Sequence, residues 1–151
     1  MIKPPKEPIP GDSSQKSSIP KNATVLVVED NVANYVLIRR LLGFMGINCE
    51  WKTSGFEVVE YARNIDHLDL ILLDIRLPYE DGYGAIRKIR MSDKLKTIPI
   101  IAVTAEASQE QIIKARSAGF DGFIRKPLDP DRFPEQIRRL LNRESVWDSE
   151  Y

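Results

Sequence analysis

Five short apolar runs punctuate this chain, and between them apolar residues recur every three or four positions. The first run, TVLVV at 24–28, is rich in β-branched residues and predicts a strand. Leu37, Ile38, Leu41, Leu42 and Met45 then share one helical face, which ends at Gly46. INCEW at 47–51 has apolar residues at alternate positions, as an edge strand does. A second helix carries Val58, Val59, Ala62 and Ile65, and LILL at 70–73 is the third strand. Ile86 and Ile89 mark the next helix, and IPIIAV at 98–103 the next strand, with Pro99 tolerable only near its start. A fourth helix holds Ile112, Ala115 and Ala118 and stops at Gly119. GFI at 122–124 is the fifth strand. The last helix opens at Asp129-Pro130 and aligns Phe133, Ile137, Leu140 and Leu141.

The first, third and fourth strands are apolar throughout, the pattern of strands covered on both faces of a parallel sheet. Five strand–helix units predict the α/β class, a doubly wound five-stranded parallel sheet of (βα)5 form. That unit runs from 24 to 143 as one domain. Residues 1–23 hold five of the ten prolines and few large apolar side chains, so they predict a disordered N-terminal tail. Residues 144–151 make a short C-terminal tail.

Composition narrows the classes. Lys plus Arg equals Asp plus Glu at 22 each in 151 residues, so bulk charge selects neither nucleic acid nor a membrane surface. The one cysteine, Cys49, allows no internal disulfide and suits a reducing compartment. The one histidine, His67, sits in the polar stretch NIDHLD and reads as a surface loop residue. No segment approaches the roughly 18 apolar residues of a membrane span. A cytoplasmic protein is expected.

The chemistry gathers at strand ends. In doubly wound sheets ligands bind outside the carboxyl ends of the strands, where strand order reverses. Here those ends carry Glu29-Asp30, Asp74, Thr104-Ala105 and Arg125-Lys126-Pro127. Each alone reads as a cap or a turn. Together they place three carboxylates, a hydroxyl and an ammonium on one edge. Two carboxylates about 4 Å apart repel by roughly 4 kcal/mol at an effective dielectric of 20, which a hard divalent cation relieves. Mg²⁺ with Lys126 and Thr104 around a carboxylate nucleophile is the arrangement of an aspartyl-phosphate site.

The motifs VVEDN (27–31), LLDIRLPYEDG (72–82), VTA (103–105) and SAGFDGFIRKPL (117–128) carry a resemblance. From Thr24 to about Arg143 the chain resembles the receiver domain of two-component response regulators, the CheY-like superfamily, and that resemblance implies a flavodoxin-like receiver fold. It also implies that Asp74 is the phosphoacceptor and that Asp30 and Asp74 are Mg²⁺ ligands. Glu29 would act through water, and the Arg76 carbonyl would complete the protein ligands. Thr104 would be the switch hydroxyl, Lys126 the phosphoryl-binding lysine and Phe123 the switch aromatic. Leu77, Glu80, Trp51 and Lys52 depart from the residues common at their positions, away from the chemistry.

The resemblance implies a phosphorelay protein rather than an ordinary enzyme, one that catalyses only its own phosphorylation and dephosphorylation. Its donor would be a sensor histidine kinase or a histidine phosphotransfer protein. Its output would be a protein target meeting the fourth helix, fifth strand and fifth helix, with no nucleic acid and no membrane. The expectation is a single-domain regulator, the alternative being a receiver from a hybrid histidine kinase or larger regulator. A haloacid dehalogenase-type phosphatase would need a second Asp where Arg76 stands, and the acidic EDNVAN would repel a dinucleotide phosphate. Arg76 and Glu106 stand at positions that tune hydrolysis in similar proteins. Their opposite charges predict either a pair across the mouth of the site or two independently solvated groups. Trp147 and Tyr151, set among acids, are either a docking tag or a frayed end packing its aromatics on the last helix.

Overall fold

The computed structural model describes residues 18–77 and 80–148. Its elements alternate: β1 (Thr24–Val28), α1 (Val32–Phe44), β2 (Asn48–Lys52), α2 (Gly55–Ala62), β3 (Leu70–Asp74), α3 (Gly82–Arg90), β4 (Ile100–Thr104), α4 (Gln109–Ser117), β5 (Gly122–Arg125) and α5 (Phe133–Leu141). All strand pairs are parallel, in the order β2-β1-β3-β4-β5. The chain steps outward from β1 to β2, then crosses back to β3. The order therefore reverses between β1 and β3, and in sheets of this kind ligands bind outside the carboxyl ends at such a reversal.

Period-two alternation divides each central strand between two cores. Leu26, Val28, Ile71, Leu73, Ile100 and Ala102 face α2, α3 and α4. Val25, Val27, Leu70, Leu72, Ile101 and Val103 face α1 and α5. The strands read as unbroken apolar runs because both faces are covered. Each fully buried Leu, Ile or Phe contributes about 1.5–3 kcal/mol by leaving water. Asn31, Ser54, Asp81 and Ser108 cap four helices through side-chain oxygens that accept backbone N–H bonds. Gly46 and Gly119, at φ +74° and +100°, close α1 and α4 in the left-handed conformation.

The boundaries differ from the sequence reading in a few places. Asp74 is the last residue of β3, as expected, whereas β2 runs one residue later than INCEW, from Asn48 to Lys52. Pro99 precedes β4, and its carbonyl accepts the Ile71 N–H. The last helix begins at Phe133 because Asp129 forms a turn first. The Asp129 carbonyl accepts from Arg132 and Phe133, and its carboxylate from Asp131. Ile65 lies beyond α2 yet packs on the core.

Ordered packing also reaches outside β1 and α5. Ala23 is buried and Ile19 packs against the α1–α5 core. Residues 1–17 of the expected tail, and Tyr151, lie outside the described residues. His67 is exposed in its loop and contacts Asp69 at 2.8 Å. Among the described residues no helix is long and apolar enough to cross a membrane.

Candidate phosphoryl-acceptor site

Five side chains converge at the reversal of the sheet. Glu29 follows β1, Asp30 comes next, Asp74 ends β3, Thr104 ends β4, and Lys126 follows β5. Glu29, Asp74 and Thr104 are buried, with 2, 6 and 2% of their surface exposed, while Asp30 faces solvent. Carboxylate oxygens of Glu29, Asp30 and Asp74 lie within 4.8 Å of one another. Lys126 Nζ sits between the two buried acids, 2.6 Å from Glu29 Oε1 and 3.0 Å from Asp74 Oδ2.

This arrangement is held by backbone. Asp74 Oδ1 accepts the Arg76 N–H at 2.9 Å, and Glu29 Oε2 accepts the Asn31 N–H at 3.1 Å. Thr104 Oγ1 accepts the Glu106 N–H at 3.3 Å, and Lys126 N–H donates to the Thr104 carbonyl. Beyond β3 the Gly82 N–H donates to the Ile75 carbonyl, and Arg76 and Asp81 form an antiparallel bridge. A Cβ on Gly82 would stand 2.7 Å from Ile75 Cα and 3.0 Å from the Asp74 carbonyl oxygen. Glycine is needed there because the start of α3 presses against the backbone at the end of β3.

Burial, with the nearby Asp74 charge, pushes the Glu29 carboxyl above the usual carboxylate range, and Lys126 offsets this only partly. Burial opposes the Lys126 charge, but hydrogen bonds and attraction from Glu29 and Asp74 win, raising its pKa. One ammonium among three acids leaves a negative cluster with an open, solvent-facing side at Asp30. Hard oxygen donors, one exposed and two rigid, suit a small divalent cation that keeps part of its water.

The expected residues come together. Arg76 and Glu106 meet in an ion pair at the mouth. Glu106 continues through Gln111 (3.4 Å) to the Tyr83 hydroxyl (2.9 Å), linking the mouth to α3 and α4. Phe123 is fully buried, in the α2–α4 core, and its ring has no outward position in this structure.

One residue was read only as a departure. The Trp51 indole N–H donates to the Glu29 carbonyl at 2.7 Å, and its ring stacks on Tyr35 at 4.2 Å between centroids. Trp51 thus ties the acidic loop to β2 and α1. The usable signal was a tryptophan late in an edge strand, whose N–H needs an acceptor once its ring is partly buried.

Comparisons with known proteins fit this geometry. The response regulator receiver domain family matches residues 25–138. The polar-differentiation response regulator DivK of Brucella abortus is 37% identical over 118 residues, covering 78% of this chain and 95% of that protein. The probable transcriptional regulator ycf29 of Porphyra purpurea is 34% identical over 122 residues, spanning 81% of this chain and 58% of that one. A crystal structure of the receiver domain of a Pseudomonas aeruginosa sensor histidine kinase, with magnesium coordinated in its active site cleft, has a TM-score of 0.69. It is 34% identical and covers 81% of this chain and 96% of its own. The chemotaxis protein CheY4 of Vibrio cholerae has a TM-score of 0.72 at 26% identity, covering 78% and 98%.

Proposed function

The chain belongs to the response regulator receiver domain family, and on that premise we propose that Asp74 accepts a phosphoryl group from a phosphohistidine. The donor is a sensor histidine kinase or a histidine phosphotransfer protein in the cytoplasm. The observation that carries this reading is the Lys126 ammonium shared between Glu29 and Asp74, beside an exposed Asp30. Nothing in a purely structural ion pair calls for a third, solvent-facing acid.

In the transfer, a carboxylate oxygen of Asp74 bonds to phosphorus as the P–N bond to the donor imidazole breaks. The imidazole leaves with the electron pair, and an acyl phosphate forms. Glu29, Asp30, Asp74 and the Arg76 carbonyl are the groups that would hold Mg²⁺. When bound, Mg²⁺ neutralises phosphoryl oxygens and the acidic cluster together. Once phosphorylated, the Asp74 carboxyl no longer carries the charge that holds Lys126, so the ammonium turns to a phosphoryl oxygen. Thr104, with its hydroxyl hydrogen free to rotate, donates to another. That local change biases a two-state element at β4 and β5.

Output is a protein–protein event on the face of α4, β5 and α5. A receiver within a hybrid kinase remains the second reading, favoured by the likeness to a kinase receiver domain. Incubation with a phosphorylated histidine phosphotransfer protein tests the proposal. Transfer should require Mg²⁺ and stop with chelator. Transfer that is indifferent to chelation and to Asp74→Asn would overturn it.

A further inference from the structure

The outer edge of β5 should be an exposed sheet edge, and it is not. Residues 146–148 lie along it. The Phe123 N–H donates to the Val146 carbonyl at 2.8 Å, and the Asp148 N–H donates to the Phe123 carbonyl at 2.8 Å. Phe123 and Trp147 thereby form a parallel bridge. Gly122 admits this approach, because a Cβ there would stand 2.8 Å from the Val146 carbonyl oxygen.

Side chains fix both the register and the identity of the segment. Val146 is buried, and the Arg116 guanidinium of α4 lies 4.2 Å from the centre of the Trp147 ring. The Asp148 carboxylate, 8% exposed, accepts the Arg125 N–H at 3.3 Å and Gln136 Nε2 at 3.4 Å, with Arg132 at 3.4 Å. The edge thus offers a backbone ladder, a cationic platform for an aromatic ring and a socket for a carboxylate. Edge-strand pairing of this kind is a general mode of peptide recognition, with backbone bonds giving affinity and pockets giving specificity.

We propose that the β5 edge is a strand-accepting groove for an extended apolar–aromatic–acidic segment of a partner protein. Residues 146–148 occupy it in cis and close it. A partner presenting such a segment must displace them. The groove is one strand removed from Thr104, through the Lys126 N–H bond to the Thr104 carbonyl.

The test uses the full chain with Asp148→Pro, which removes the N–H bonded to Phe123 and the carboxylate together. Amide exchange at Phe123 and Arg125, which point to the segment, should accelerate at least tenfold. Exchange at Ile124, which by alternation points to β4, should stay as it is. A labelled peptide of sequence ESVWD should bind the variant at least tenfold more tightly than the wild-type chain. Replacing its Asp by Ala should abolish that gain. Unchanged Phe123 and Arg125 protection, or an opened edge that captures no peptide, would overturn the proposal. Should Ile124 also lose protection, the substitution has disturbed the sheet, and Trp147→Ala is judged by the same two readouts.

Discussion

Replacing Lys126 with Met leaves a side chain of similar length without its charge, beside two buried acids. Gross attraction at the observed separations, 2.6 Å to Glu29 and 3.0 Å to Asp74, is about 6 and about 5.5 kcal/mol at an effective dielectric of 20. Most of that only offsets the cost of burying the charges. Removing one partner instead leaves the others unpaired, which costs about 3–5 kcal/mol. Mutual repulsion of the two buried carboxylates, Glu29 and Asp74, within 4.8 Å of each other, is about 3.5 kcal/mol at that dielectric and supports this range. For a domain of this size the melting temperature should fall by roughly 12–20 °C in chelator. Mg²⁺ should bind the variant at least about tenfold more tightly, because a competing cation is gone, and at about 100 Kd should restore roughly 2.7 kcal/mol. Adding Glu29→Gln in chelator should recover part of the loss. Differential scanning calorimetry and titration calorimetry measure both. A melting shift under about 2 °C, weaker Mg²⁺ binding, or a double variant whose losses simply add would refute charge compensation by Lys126.

Arg76→Ala and Glu106→Ala should each speed loss of the phosphoryl group, and the double variant should fall short of their product. Because these side chains are 74 and 40% exposed, the pair is worth at most about 1 kcal/mol, or roughly fivefold in rate; multiplicative effects would mean that they act alone. Gly82→Ala should cost about 1–3 kcal/mol by thermal melt and slow phosphorylation, since the new methyl group meets the backbone of Ile75 and Asp74. Cys49, half-buried on β2, has its thiol pushed up to about 11 by burial first and by Glu50 second. Its alkylation by iodoacetamide at neutral pH should be about a hundredfold slower than that of a free thiol, and a rate like that of a small thiol would contradict its burial.

The sheet was legible because a strand covered on both faces has no polar alternation. β1, β3 and β4 had to be interior, and Asp74 at the end of such a run had to be special. The acid–ammonium cluster was legible for the same reason, since strand ends in this topology share one edge. Contacts made by backbone and by distant side chains were not legible. Trp51 holds the Glu29 carbonyl, and nothing in the spacing of 22 residues announces a side-chain-to-backbone bond. The last helix was placed too early because Asp129-Pro130 resembles a cap, whereas Asp129 turns the chain once before Phe133. The segment at 146–148 looked like a frayed end because its partner is a strand edge, and edge pairing depends on topology rather than on local pattern.

The central claim is that Asp74 is the nucleophile. Borohydride reduces an acyl phosphate to an alcohol and so converts a phosphorylated aspartate to homoserine. The chain should be treated with Mg²⁺ and a small acyl phosphate, reduced, digested and mapped by mass spectrometry. Homoserine at position 74 alone, absent without Mg²⁺ and absent in Asp74→Asn, is the predicted result. Homoserine at position 30, 2-amino-5-hydroxypentanoic acid (the reduction product of a phosphorylated glutamate) at position 29, or no reduced residue anywhere while phosphate is incorporated, would contradict the account.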